Sequence, residues 1–274
     1  MKYVPRRPRT NVNVTPTSPL RDFFLMLGGL LLALITVYIF LGFLVDFITP
    51  FISVETEKKL SGFFAWVDYE EAPLPQEQVV LQEIVDNIQH KCVDLPYSLK
   101  VDVADDEMIN ALALPGGRIV VFSGLLEEAQ SENELAFVLS HEMGHFNNRD
   151  HLSGLGRGLV FMVLSMGVFG PDSMIGEKIA SLLAISELGF SRKHESMADD
   201  YALDTLNCYY GHVAGATGFF KHTAKIEEKN FTGHYLSSHP LSDQRIAHLL
   251  ERAEEKGFKQ TGKLSPFTLS ATVQ

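Results

Sequence analysis

Two histidines stand four residues apart, with a glutamate directly after the first, in His141-Glu142-Met143-Gly144-His145. On an α-helix, residues i and i+4 project from one face, so both imidazoles would point the same way. Glu142 falls about 100° round the helix from His141, beside that face. This HExxH arrangement suits two imidazoles on a metal, usually zinc, with a carboxylate next to the metal's open position. Zinc held by two histidines needs one more protein ligand if a position is to stay open. The best candidate is Glu195, in the stretch 190–202, FSRKHESMADDYA. Asp199 follows four residues later on the same helical face, where it could accept a ligand histidine's free ring N–H and fix its tautomer. The plain alternatives are a helix with two partly exposed histidines and a polar amphipathic helix with two acids. Spacing alone decides weakly for the second stretch. His194 faces about 100° away from Glu195 and reads as structural or exposed.

Several elements must position these groups. Ser131 can cap a helix and Glu134 sits three residues on, a capping box, with Leu135, Val138 and Leu139 at helical spacing behind it. Upstream, Leu99 to Val103 alternates like a strand. Asn110 to Leu114 and Arg118 to Phe122 read as strands joined by a Pro115-Gly116-Gly117 turn. Strands just before such a helix can floor a cleft, and an exposed edge could hold a peptide as an added strand. An ordinary hairpin packed on a helix is the equally simple alternative. Gln76 to Cys92 carries a helical apolar pattern. His239-Pro240 reads as a turn before a helix from Ser242 to Glu254.

The remaining chain bears on place and partners. Net charge is −11. Residues 1–22 carry Lys2, Arg6, Arg7, Arg9 and Arg21 against Asp22, a net of +4, so the remainder stands at −15. An acidic body argues against a nucleic-acid partner. Residues 1–22 read as a disordered basic tail. Phe23 to Val45 then runs without a charge. As a helix it would span about 34 Å, against a hydrocarbon core of about 30 Å. A transmembrane anchor over 23–47 is favoured over a cleaved signal peptide, whose apolar region is shorter. The basic flank puts the N-terminus in the cytoplasm and the body outside, in the periplasm if the cell is Gram-negative. Residues 48–75 read as a linker and 256–274 as a loosely held tail, with Phe258 and Phe267 isolated. Two apolar pieces, Gly158 to Pro171 and Ile179 to Ser186, are each too short to span. They read as core helices, or as a pair near the membrane surface. Cys92 and Cys208 could pair in an oxidising compartment, but two buried thiols are favoured.

HEMGH followed by Glu195-Ser-Met-Ala198-Asp199 strongly resembles peptidase family M48, the gluzincin-type group of CAAX prenyl proteases and of HtpX-like and Oma-like proteases. Asn110-Ala111, Pro115-Gly116-Gly117, Gly124-Leu125-Leu126, Ser191-Arg192, Ser238-His239-Pro240 and Arg245 match as well. The resemblance implies an α+β, mainly helical zincin-type metallopeptidase domain with a small sheet over about residues 76–255, which here follows the one N-terminal transmembrane helix read from the uncharged run. It implies one Zn2+ per chain on His141, His145 and Glu195, with Glu142 as general base and acid. It also implies that Asn110, Ala111 and Arg245 serve substrate binding, Arg245 alternatively pairing with a site carboxylate. His239 would either donate to the oxyanion or ligate zinc in a resting state. The expected activity is hydrolysis of peptide bonds in unfolded or misassembled envelope proteins. The alternatives are a zinc-bound, non-catalytic chaperone or assembly factor for membrane proteins, or a structural membrane protein with an accidental motif.

Overall fold

The computed structural model describes residues 18–61, 75–170, 192–221, 239 and 243–267. Expectations for residues 1–17, 62–74, Ile179 to Ser186, Ser238, Pro240 and 268–274 lie outside the described residues.

The uncharged run forms α1, Pro19–Ile48. Among the described residues it is the one helix found long and apolar enough to cross a membrane. A 3-10 turn, Thr49–Phe51, and α2, Val54–Ser61, follow inside the stretch read as linker. The local signal for α2 is a serine cap with acids leading and bases trailing. The Thr56 N–H donates to Ser53 Oγ at 3.1 Å, Glu55 and Glu57 open the helix, and Lys58 and Lys59 close it.

The body is mainly helical around one three-stranded sheet. Helix α3 spans Pro75–Cys92, β1 Lys100–Ala104, β2 Ala111–Leu114 and β3 Arg118–Phe122. The strand order is β1-β3-β2, with β1 parallel and β2 antiparallel to β3. The tight β2–β3 turn needs positive φ at Gly116 and Gly117, 89° and 88°. One sheet face (Val101, Val103, Ala111, Ala113, Ile119, Val121) joins the main core with Leu81, Val85 and Ile88 of α3. The other (Ala104, Leu112, Leu114, Val120, Phe122) packs with Met108 and Leu155. Both faces are therefore buried, which explains the near-continuous apolar strands.

Short helix α4, Ser123–Glu128, leads to α5, Glu132–Asn148. The capping box has its expected bond: the Glu134 N–H donates to Ser131 Oγ at 3.3 Å. Helix α5 ends at Arg149, whose φ of 60° turns the chain into α6, Asp150–Phe169. Helix α7, Arg192–Tyr210, packs along α5, and α8, Asp243–Glu255, covers α7.

Two expectations change. Cys92, ending α3, and Cys208, near the end of α7, form a disulfide and are not buried thiols; Cys208 is exposed. The tail is docked over residues 258–267 rather than loosely held. The Val213 N–H donates to the Lys259 carbonyl at 2.8 Å, and the Glu132 N–H to that of Ser265 at 3.0 Å. Phe258 and Phe267 pack against the main core. Both changes rest on tertiary neighbours that local sequence does not encode.

Candidate metal centre

Helices α5 and α7 cross where their side chains are smallest. A Cβ on Gly144 would lie 2.8 Å from the Cα of Ala198, so the crossing tolerates no larger residue without parting the helices. This close approach brings Glu195, one turn before Ala198, against the two histidines of α5. The ε nitrogens of His141 and His145 stand 3.1 Å apart. Glu195 Oε2 lies 3.5 Å from His141 Nε2, and Oε1 lies 3.6 Å from His145 Nε2. His239 adds its Nδ1, 3.3 Å from His141 Nε2 and 3.0 Å from Glu195 Oε1. All four residues are at most 2% exposed.

These spacings suit a metal. Ligands about 2.05 Å from a tetrahedral ion are separated by roughly 3.3 Å. Four donor atoms within 4.8 Å of one another form such a set. The chemistry agrees, because three imidazole nitrogens and a carboxylate oxygen crowded in a dry pocket are best satisfied by one shared cation.

The outer nitrogens of the α5 histidines face carboxylates. His141 Nδ1 lies 2.9 Å from Asp199 Oδ1, and His145 Nδ1 lies 3.2 Å from Asp150 Oδ2. Each carboxylate turns an ε nitrogen inward. Asp150 escaped the sequence reading; the signal was an acid five residues past His145, brought back by the turn at Arg149. His194 also approaches Asp150, Nδ1 to Oδ1 at 3.5 Å. Arg245, reaching in from α8, grips Asp199 at 2.6 and 2.8 Å and Glu195 Oε2 at 2.8 Å. It thus stands behind the cluster, its guanidinium carbon 4.8 Å from the centre of the Phe220 ring.

Electrostatics separate the carboxylates. Burial pushes Glu142 up, against the His239 and His141 charges and a backbone hydrogen bond from Ala113 that favour its ionised form. His239 Nε2 is 3.6 Å from Glu142 Oε1. Burial also disfavours ionised Glu195, but the His239 and His141 charges and their hydrogen bonds hold it well below the usual carboxylate range. Asp199 is lowered likewise, Arg245 overcoming its burial. Glu142 is thus poised to hold a proton while Glu195 and Asp199 stay charged; burial raises Asp150 as well.

Beside the site, β2 runs along one edge of the sheet. The Asn110 carbonyl accepts from the Phe122 N–H at 3.1 Å, turned toward β3. Asn110 Oδ1 takes the Ala111 N–H at 2.9 Å. Both residues are buried.

A second buried cluster, missed in the sequence, ties the chain leaving α1 to this site. Glu57 of α2 accepts from Tyr97 Oη at 2.8 Å, the Gly116 N–H at 2.9 Å and Arg149 at 3.1 Å, and lies 2.9 Å from His151 Nε2. Burial opposes the ionised form, yet the His151 hydrogen bond and charge, with Gly116 and Tyr97, hold Glu57 down to about 2.

Comparison with known proteins settles the family. The family model described as Peptidase family M48 matches residues 75–253. The chain belongs to that family. Among M48 relatives, Metalloprotease LoiP of Escherichia coli K12 is 30% identical over 174 residues, 60% of this chain and 66% of LoiP. The mitochondrial metalloendopeptidase OMA1 of Arabidopsis thaliana is 32% identical over 149 residues, 54% of this chain and 30% of its own length. A Vibrio cholerae relative, named for beta-barrel assembly-enhancing protease activity, is 30% identical over 195 residues, 64% of this chain and 40% of its own. The chain spans less than two thirds of the length of each of these relatives.

Proposed function

We propose that the protein is a membrane-anchored, zinc-dependent endopeptidase acting on unfolded or misassembled envelope proteins. The observation that carries the peptidase reading is the pairing of a four-donor cluster with Glu142, a buried carboxyl raised in pKa that stands beside it. His141, His145 and Glu195 would hold the zinc. When bound, zinc supplies Lewis-acid polarisation of a peptide carbonyl and acidifies a coordinated water. Glu142 accepts a proton from the attacking water and returns it to the departing amine. Asp199 and Asp150 keep the histidine rings oriented, and Arg245 keeps Asp199 ionised and pairs with Glu195. Asn110 and Ala111, on the strand at the sheet's edge beside the site, are the candidates for contact with an extended peptide. For His239, the inward Nδ1 favours the ligand role over the oxyanion role. With zinc bound, His239 would supply a fourth donor in a resting state.

Anchoring rests on α1, whose flank of five basic residues favours a cytoplasmic N-terminus in the inner membrane. The Cys92–Cys208 disulfide supports an oxidising, extracytoplasmic site for the body. The Vibrio relative's name supports envelope substrates. A second possibility, a zinc-bound assembly factor without catalysis, draws on the fourth donor, because structural zinc sites are closed. Glu142 counts against it, since a fully buried carboxyl raised in pKa beside the donor set is costly without a task. Casein cleavage separates them. Cleavage should need zinc and vanish in Glu142→Gln while that variant retains the metal. A Glu142→Gln protein that still cleaves would overturn the endopeptidase mechanism.

A further inference from the structure

Helix α6 leaves the metal centre and runs back along α1. Gly156 packs on Val45 so closely that a Cβ there would come within 2.5 Å of its Cγ1. Arg157 pairs with Asp46, and Phe161 meets Tyr38 edge-on with ring centroids 6.0 Å apart. Rising numbers in α6 thus meet falling numbers in α1, so the helices are antiparallel. From Gly158 to Gly170 the sequence holds no charged residue. Along this stretch Val163 is 62% exposed, Leu159 42% and Met166 37%. The apolar side chains of α1 beside it are just as open, Phe43 at 69% and Ile35 at 55%.

We propose that α6 is a re-entrant helix that enters the lipid bilayer beside α1, with the Arg157–Asp46 pair marking the lipid–water boundary. This rests on the reading of α1 as the membrane anchor. The occupant of the exposed α6 face is then lipid, continuous with the lipid around α1. Twelve residues separate Arg157 from Phe169, about 18 Å of helix, which passes the middle of a core about 30 Å thick without crossing it. Because α6 stops short of the far side, this placement is compatible with His145 and Glu195 lying on one side of the membrane, as a shared metal requires. It also fixes the height of the site. Asp150, which faces His145, lies seven residues before Arg157, roughly 10 Å along the axis. The metal centre would therefore sit just above the headgroups, suited to polypeptide segments emerging from the membrane.

The test uses the full-length protein in phosphatidylethanolamine/phosphatidylglycerol vesicles. Val163→Cys, Ile35→Cys and Glu83→Cys are each labelled with an environment-sensitive fluorophore, and quenching by nitroxide-bearing acyl chains is read. Val163→Cys should be blue-shifted and quenched to the same extent as Ile35→Cys, while Glu83→Cys, at an exposed position of α3, shows neither. If Ile35→Cys is quenched and Val163→Cys behaves like Glu83→Cys, α6 lies in water and the proposal falls while the anchor stands. A blue shift at Val163→Cys without quenching also overturns it, because protein then covers the face. No quenching at either site removes the anchor and the re-entry together.

Discussion

Replacing Gly144 with alanine adds one methyl group at the crossing that assembles the metal centre. Its Cβ would sit 2.8 Å from the Cα of Ala198 and 3.2 Å from that residue's Cβ and carbonyl oxygen. Carbon atoms in good contact are about 3.5–4.0 Å apart, so α5 and α7 must part by roughly 1 Å. Zinc sites tolerate about 0.2 Å in ligand distance. Glu195 lies one turn from Ala198 and moves with it, while His141 and His145 stay on α5. Overpacking of this kind costs about 1–3 kcal/mol in stability. If a comparable share falls on the ligand set, zinc affinity drops by on the order of tenfold to a hundredfold. Chelator competition reads the affinity and thermal unfolding the stability. Adding Ala198→Gly removes the 3.2 Å contact with the Ala198 Cβ but not the tighter one to Cα, so rescue should be partial. A Gly144→Ala protein that binds zinc and cleaves casein like the wild type would refute the claim that this crossing sets the cluster.

Three further outcomes follow from the same geometry. Asp150→Asn should weaken zinc binding or activity by roughly 10–100-fold, because it takes the carboxylate from His145; unchanged affinity by chelator competition would remove Asp150 from the site. In the zinc-free protein, Asp199 and Glu195 outweigh the burial of His141 and raise it to about 9. Zinc needs the neutral ring, so below about pH 9 binding displaces a proton, and affinity should fall by up to about tenfold per pH unit as pH drops. A flat profile between pH 6 and 8 would contradict this. Removing the cross-link with Cys92→Ser and Cys208→Ser frees a loop with a sequence separation of 116 residues. That should cost about 4–5 kcal/mol in the chain-entropy account, read as a lower denaturation midpoint in urea.

Much of this protein is legible locally. The periodicity of α3 and α5, the cap at Ser131, the Pro115-Gly116-Gly117 turn and the uncharged run of α1 all carry their structure in adjacent residues. HExxH spacing put two imidazoles on one face, zinc's need for a third ligand pointed to Glu195 with Asp199 a turn on, and family resemblance pointed to Arg245. What was not legible depends on meetings between distant segments. Asp150 reaches His145 only because Arg149 takes a left-handed turn. Glu57 is an unremarkable acid in a polar stretch until Tyr97, Gly116 and His151 close round it. Gly144 and Ala198 look like two small residues in motifs, and their contact appears only once the helices cross. The cysteines, 116 positions apart, gave no local sign of pairing.

The central claim is that residues from α5 and α7 share one metal ion. Anomalous diffraction at the zinc edge from zinc-loaded crystals tests it most directly. One peak per chain is predicted, bonded to the ε nitrogens of His141 and His145 and to a carboxylate oxygen of Glu195. A peak elsewhere, or a zinc site without Glu195, would contradict it.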